Sequence, residues 1–280
     1  MLQDLHLHTF VSDGELDPLA LLRLARSSGI THLSITDHDA LGAYVWEGGA
    51  VFPEAERLGL SLAVGIELDA DLEGQEVHLL GFELSLDDVS LNKHLTAVRE
   101  TRAERARREI ELVNAQLGAG SVSETDIFVP GRETLMRPHF IHPLLRKGLF
   151  DTYEDANGWY RKNIKAGVAV PKPSFEEAIG LIHGAGGWSC LAHPGYYAKD
   201  GFPVAERLPI LRGLGLDGVE LDYPYHTCSP HRFSADEERT FVDEVRRVGE
   251  ALGLRFTRGT DCHTKNDFER RYAPAAPRAE

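Results

Sequence analysis

Short apolar runs alternate with amphipathic stretches along much of this chain. Strand-like runs fall at 2–8, 31–36, 61–67, 77–82, 188–192, 218–221 and 255–259. Helical patterning falls between them at 18–28, 52–58, 175–184, 204–214 and 235–253. The first helix carries its own punctuation: Asp17 stands at the N-cap position, Pro18 opens the helix and Gly29 stops it. Repeated β-then-α units predict an α/β fold with a parallel sheet, and about seven of them predict a closed or nearly closed barrel.

The middle of the chain breaks this rhythm. Residues 90–116 read as one long helix, and 133–165 as helical without strand-forming runs. This predicts a barrel domain made of 1–89 and 166–280, interrupted by a helical insert at 90–165. Charge separates the two parts. The chain carries 30 Lys/Arg and 44 Asp/Glu, a net −14. Residues 91–165 hold 13 Lys/Arg against 10 Asp/Glu, a local +3 that leaves −17 elsewhere. A basic insert in an acidic protein suits an anionic substrate clamped there, and it equally suits a solvated helix face of mixed charge.

Composition narrows the class. A hydrophobic content of 42% supports a core and excludes general disorder. No apolar run approaches the roughly 20 residues of a membrane span. The N-terminus, MLQDLHLHTF, lacks the basic-then-apolar pattern of a signal peptide. Three scattered cysteines, Cys190, Cys228 and Cys262, make no disulfide framework, so a cytoplasmic location is expected. The net negative charge argues against duplex DNA as a partner. The tail at 273–280, APAAPRAE, reads as a frayed end.

The candidate chemistry lies in thirteen histidines and their placement. In Asp4-Leu5-His6-Leu7-His8, strand alternation points His6 and His8 to one side, with Leu5 and Leu7 opposite. The strand runs into Thr9-Phe10-Val11-Ser12-Asp13-Gly14, a loop at its C-terminal end, which is the active face of parallel barrels. Later strands end in Thr36-Asp37-His38-Asp39, Gly65-Ile66-Glu67, Ala192-His193-Pro194-Gly195 and Thr260-Asp261-Cys262-His263. His78 alone lies within its apolar run. Carboxylates and imidazoles gathered on one mouth repel and crowd, and divalent cations remove both problems. Cys262, between two candidate ligands, alternates away from them. His32, His94, His142, His183 and His231 fall at no such position and read as structural or exposed.

The ordered set HLHT, SDG, TDHD, GIE, VHLLGF, LAHPG, GVEL and GTDCH resembles the polymerase-and-histidinol-phosphatase (PHP) family. Within it, the set is most similar to the branch acting on nucleoside 3′,5′-bisphosphates and RNA 5′ ends. The resemblance extends to Arg137-Pro138-His139 of the insert. It implies a distorted (β/α)7 barrel with an inserted helical subdomain and three divalent transition-metal ions, Mn2+, Zn2+ or Fe2+. Carried over by position, His6, His8, Glu67 and Asp261 would hold the first ion. Glu67, His78 and His193 would hold the second, and Asp13, His38 and His263 the third. The ions would activate a water for in-line attack at phosphorus, with no protein nucleophile.

A second phosphate would be gripped from the insert by Arg102, Arg105, Arg137 and His139. His226, in Tyr223-Pro224-Tyr225-His226, is a candidate substrate contact and leaving-group acid, and equally a structural loop histidine. The reading is thus a metal-dependent phosphoesterase whose partner is a phosphorylated nucleotide or short RNA. Its rivals are a histidinol-phosphate-type phosphatase, an amide or lactone hydrolase, and a non-catalytic module stabilised by metal. Amidohydrolase sites of this kind bridge their metals with a lysine; here no lysine ends a strand, and Glu67 occupies the bridging position. The oligomeric state stays open.

Overall fold

In the computed structural model, residues 2–227 and 233–272 are described; Cys228, His231 and the 273–280 tail lie outside them. The first half alternates as β1 (Gln3–Leu7), α1 (Pro18–Ser27), β2 (His32–Ile35), the short α2 (Gly42–Val45), α3 (Val51–Leu58) and β3 (Ser61–Leu72). β4 (Gln75–Phe82) leads into α4 (Val89–Leu117), α5 (Glu124–Ile127), α6 (Pro138–Arg146) and α7 (Tyr153–Asn163). Then come α8 (Phe175–Gly184), β5 (Trp188–Leu191), α9 (Pro194–Lys199), α10 (Val204–Gly213), β6 (Gly218–Asp222), α11 (Ala235–Ala251), β7 (Arg255–Arg258) and α12 (Lys265–Tyr272).

The seven strands lie side by side in sequence order. The chain beyond β7 returns to β1: His8 N–H donates to Cys262 O at 3.3 Å, and Asp261 N–H donates to His6 O at 2.9 Å. The fold is a distorted (β/α)7 barrel with its edges brought together there.

The sheet is not parallel throughout, which corrects the sequence reading. β4 pairs antiparallel with both β3 and β5. The cause is local. β3 runs on past Glu67 to Leu72, then turns at Glu73 (φ 57°) and Gly74 (φ 86°). Two successive left-handed residues make the tight turn whose twist suits a β-hairpin. In that hairpin Asp69 lies opposite His78. An inverted strand enters at the mouth, which is why His78 falls inside its apolar run.

A second correction concerns β1. Its pairing with β2 shifts register between Asp4 and Leu7. Leu7 consequently joins the large core between sheet and helices, with Leu22, Leu33, Ile35 and Ile66. Leu5 instead joins a smaller cluster of Leu80, Phe82, Cys190 and Ala192. Asp4 holds the irregularity, its buried carboxylate accepting from His6 N–H at 3.2 Å and from Thr260 N–H at 3.1 Å.

The helices between β4 and α8 gather a separate apolar core of Val113, Ile127, Phe140, Ile141, Leu144, Ala156 and Tyr160. The 29-residue α4 joins both layers: Leu91 and Leu95 pack into the barrel's core, Ala106, Ile110 and Val113 into the helical one. No helix among the described residues is long and apolar enough to cross a membrane.

Candidate metal centre

Glu67, fully buried at the mouth on β3, is the hub. Its Oε2 lies 3.2 Å from His6 Nε2, 3.3 Å from His8 Nε2 and 3.3 Å from His38 Nδ1. Its Oε1 lies 2.9 Å from His78 Nδ1 and 3.1 Å from His193 Nε2. Asp261 Oδ1 is 3.0 Å from His8 Nε2 and 3.5 Å from His6 Nε2. Asp13 Oδ1 is 3.2 Å from His263 Nε2 and 3.9 Å from His8 Nδ1. The nine residues singled out in the sequence therefore stand together.

Local chemistry explains how the loops reach this point. Asp37, buried beside β2, accepts from Thr9 N–H at 2.7 Å, Thr9 Oγ1 at 2.6 Å and Ser12 Oγ at 2.6 Å. These bonds fold the loop after β1 back so that Asp13 overhangs the mouth. Gly14 permits the return, since a Cβ there would sit 2.6 Å from the His8 carbonyl. His193 (φ 28°) and Asp261 (φ 52°) hold left-handed backbone without being glycine. Strain of that kind persists only where surrounding bonds impose it.

The cluster fits divalent cations on its own atoms. His6 Nε2, both ring nitrogens of His8, His38 Nδ1, Glu67 Oε2 and Asp69 Oδ1 are buried without a hydrogen-bond partner. Buried polar atoms are rarely left so, and an ion is one thing that satisfies them. Three donor sets each close to within 4.8 Å: His6, His8, Glu67 and Asp261; His8, Asp13, His38 and His263; and His38, Glu67 and His78. Mixed imidazole and carboxylate donors suit first-row transition ions.

Electrostatics agree. Burial lowers an imidazole, yet the carboxylates of Glu220, Glu67 and Asp261 overcome it and raise His6 well above its ordinary value. Against the same burial, Glu67 and Asp13 lift His38 to about 9, Glu67 lifts His78 to about 10, and Asp13 and Asp261 lift His263 to about 10. His193 is the exception, its burial prevailing and lowering it. Glu67 and Asp13 are held well below the carboxylate range by the facing imidazoles, despite burial that pushes them up. The carboxylates thus favour positive charge at the centre of the cluster, a field that suits divalent cations.

Other predicted positions fall elsewhere. Arg102 is buried and donates from Nη2 to Asp39 Oδ2 and Asp69 Oδ2, each at 2.8 Å, so its charge is spent inside the protein. Arg105, half exposed, pairs with Glu109 one turn along α4 at 2.8 Å. Arg137 starts α6 with its Nε buried and unpartnered. His139 is buried, its Nδ1 accepting from Met136 N–H at 2.9 Å and its Nε2 unpartnered. His226 is exposed, 2.7 Å from Glu238, in a groove of about 940 Å³ that also meets Asp261 and His263.

Sequence reasoning missed the contacts that four residues make here. Asp69 shares the face of Glu67 on β3, two positions on, and approaches His38 at 3.4 Å and His78 at 3.6 Å. That alternation was readable once β3 was known to continue. Glu220 sat inside the quoted GVEL without a role. Tyr223 donates to Asp261 Oδ2 at 2.9 Å, and nothing local in the sequence signals it. Arg132 has an unpartnered buried Nε and lies in the electrostatic field of Asp13. The segment carrying it lies against the metal loops: Glu133 and Thr134 N–H donate to Val11 O, and Thr134 Oγ1 to His38 O.

Comparison with known proteins agrees with this arrangement. The 3′,5′-nucleoside bisphosphate phosphatase of Chromobacterium violaceum is 29% identical over 270 residues, covering 94% of this chain and 88% of its own. The 5′-3′ exoribonuclease Rnm of Escherichia coli is 31% identical over 200 residues, covering 70% of this chain and 67% of its own. A crystal structure described as a metal-dependent phosphoesterase from Bifidobacterium adolescentis superposes with a TM-score of 0.76 at 25% identity, covering 93% of this chain and 87% of its own. A Chromobacterium violaceum structure described as an amidohydrolase with bound sulfate superposes at 0.75 and 26% identity, covering 95% and 89%. The family described as PHP domain matches residues 4–170, and the chain belongs to that family.

Proposed function

We propose that this protein is a metal-dependent phosphoesterase that hydrolyses a phosphate ester of a nucleotide, a nucleoside 3′,5′-bisphosphate or the 5′ end of a short RNA or both. The observation that carries this reading is the ring of unpartnered ligand atoms around Glu67, with the buried, unpartnered Nε of Arg132 near the Asp13 loop. His6, His8, Asp13, His38, Glu67, His78, His193, Asp261 and His263 would hold the ions. Bound divalent ions supply Lewis acidity toward a phosphoryl group and acidify water.

The protein's own part is to bind and position. Glu67, fully buried and ringed by imidazoles, concentrates negative charge beside Asp261, which opens onto the groove from which a substrate would enter. Arg132 and His139 lie by the loop of Asp13 and would offer N–H donors to a second phosphate of the same substrate, with the buried Nε of Arg137 a further donor in the helical layer. A ligand with two phosphates spans both groups and is oriented by them. Relatives named as a 3′,5′-nucleoside bisphosphate phosphatase and as exoribonucleases support that substrate class.

The test is a substrate screen with added Mn2+, covering nucleoside 3′,5′-bisphosphates, nucleoside monophosphates, histidinol phosphate, an aryl phosphate and short 5′-phosphorylated RNA. The expected result is turnover of the bisphosphate above the monophosphates. Exclusive turnover of histidinol phosphate overturns the substrate. Absence of turnover on every ester, with metal bound, overturns the enzyme reading in favour of a metal-stabilised module.

A further inference from the structure

We propose that Glu220 is a positioning residue that prepares two ligands of the metal cluster at once; the inference rests on the metal reading above. Glu220 lies on β6, between the strands that deliver His193 and Asp261, and is fully buried. Its oxygens stand 3.1 and 3.2 Å from His6 Nδ1. Its Oε2 also accepts the backbone N–H of His193 at 2.8 Å.

The first contact fixes the ring of His6. An imidazole that donates from Nδ1 presents its Nε2 lone pair outward, and Nε2 of His6 is the atom facing Glu67 at 3.2 Å and Asp261 at 3.5 Å. The carboxylate also enriches the ring in electrons and strengthens it as a ligand. The second contact acts on the backbone. His193 holds φ 28°, a left-handed conformation that strains a non-glycine residue and needs an external restraint. The bond to Glu220 is such a restraint, and it sets the origin from which the His193 ring reaches Glu67.

Space has been cleared for this arrangement. A Cβ on Gly259 would lie 2.1 Å from Glu220 Oε1 and 2.3 Å from His6 Cβ. Gly259 follows β7, so three strand ends meet at one carboxylate. No Lys or Arg hydrogen-bonds to Glu220 among the described residues, and its side-chain partner is the ring of His6. A buried carboxylate in that position is compensated most fully when positive charge sits on the far side of His6.

The test uses Glu220→Gln, which keeps the volume but sets an amide N–H against one of the two donors. Competition with a chromophoric chelator should show Mn2+ affinity lowered about 10- to 100-fold. Elemental analysis should show fewer ions per folded chain, and the visible spectrum of the Co2+-loaded protein should shift. Gly259→Ala displaces the same pair without altering the charge of Glu220 and is expected to weaken affinity similarly, so it carries the test should Glu220→Gln not fold. Wild-type Mn2+ affinity and an unchanged Co2+ spectrum in either folded variant overturn the role of Glu220. Absence of Mn2+ and Co2+ uptake by the unaltered chain overturns the metal reading itself.

Discussion

Arg102 Nη2 lies 2.8 Å from Asp69 Oδ2, so a buried charge pair ties the long helix α4 to the strand that carries Glu67. The same nitrogen reaches Asp39 Oδ2, and burial together with Asp69 raises Asp39 to about 6 even with Arg102 beside it. Two buried carboxylates thus share one cation. Removing that cation leaves both unpaired, which costs on the order of 3–5 kcal/mol. Arg102→Met is expected to lower unfolding free energy in urea by about that amount. A folded variant of normal stability whose only change is a raised KM for substrate would return Arg102 to the substrate-contact role that its place on the helix face suggested.

Metal removal gives the second prediction. A ligand that binds the folded chain alone, at a hundredfold excess over its Kd, stabilises by about 2.7 kcal/mol. For a chain of this size a chelator should then lower the thermal midpoint by roughly 5 °C. Glu67 touches imidazoles from β1, β4 and the loops after β2 and β5. Glu67→Gln should therefore respond less to chelator than the parent does, keeping only what the His8, Asp13, His38 and His263 set contributes, and should lose hydrolysis of an aryl phosphate. A chelator response of wild-type size in Glu67→Gln would mean that the stabilising ions bind elsewhere.

These outcomes bear on how much a sequence discloses. Periodicity placed the elements closely where local signals are strong. Helix α1 starts with Asp17 accepting from Ala20 N–H and Pro18 in its first turn, and α8 has the expected bounds. The candidate ligands were legible because strand ends in a barrel share a face. The direction of β4 was not legible, since it depends on two left-handed residues, Glu73 and Gly74, and glutamate carries no signal for that conformation. Arg102 was misplaced for a different reason. Helical spacing says which face a side chain takes, but not whether a buried carboxylate pair waits on that face. Arg132, Tyr223 and Glu220 act across distant parts of the chain, where no local pattern reports them.

Arg132 supports a third prediction. Burial lowers its guanidinium pKa and Asp13 opposes that shift, which sets it beside the loop over the metal cluster. If it grips a second phosphate, its loss removes a charge-assisted contact worth about 1.5–3 kcal/mol. Arg132→Met should raise KM for a nucleoside 3′,5′-bisphosphate about 10- to 100-fold. Hydrolysis of an aryl phosphate, which has no second phosphate, should change less than about twofold. Equal losses on both substrates would place Arg132 in the support of the Asp13 loop instead.

His139 makes stability depend on pH in a definite direction. Burial first, then the charge of Arg132, depress its folded value to about 4 from an ordinary 6.5. The geometry agrees, because Nδ1 accepts from Met136 N–H and a proton there would break that bond. Between the two values the unfolded chain takes up a proton that the folded chain refuses, so stability falls with falling pH across that window. The loss attributable to this residue between pH 7 and pH 5 is about 2 kcal/mol. His139→Gln cannot titrate and keeps a group of similar length. Urea unfolding at the two pH values should show a drop about 2 kcal/mol smaller in the variant than in the parent, every other group contributing equally to both. An identical drop in the two proteins would mean that His139 is already charged in the folded state at pH 5, and that the cationic wall beside Asp13 has one more member than the geometry assigns.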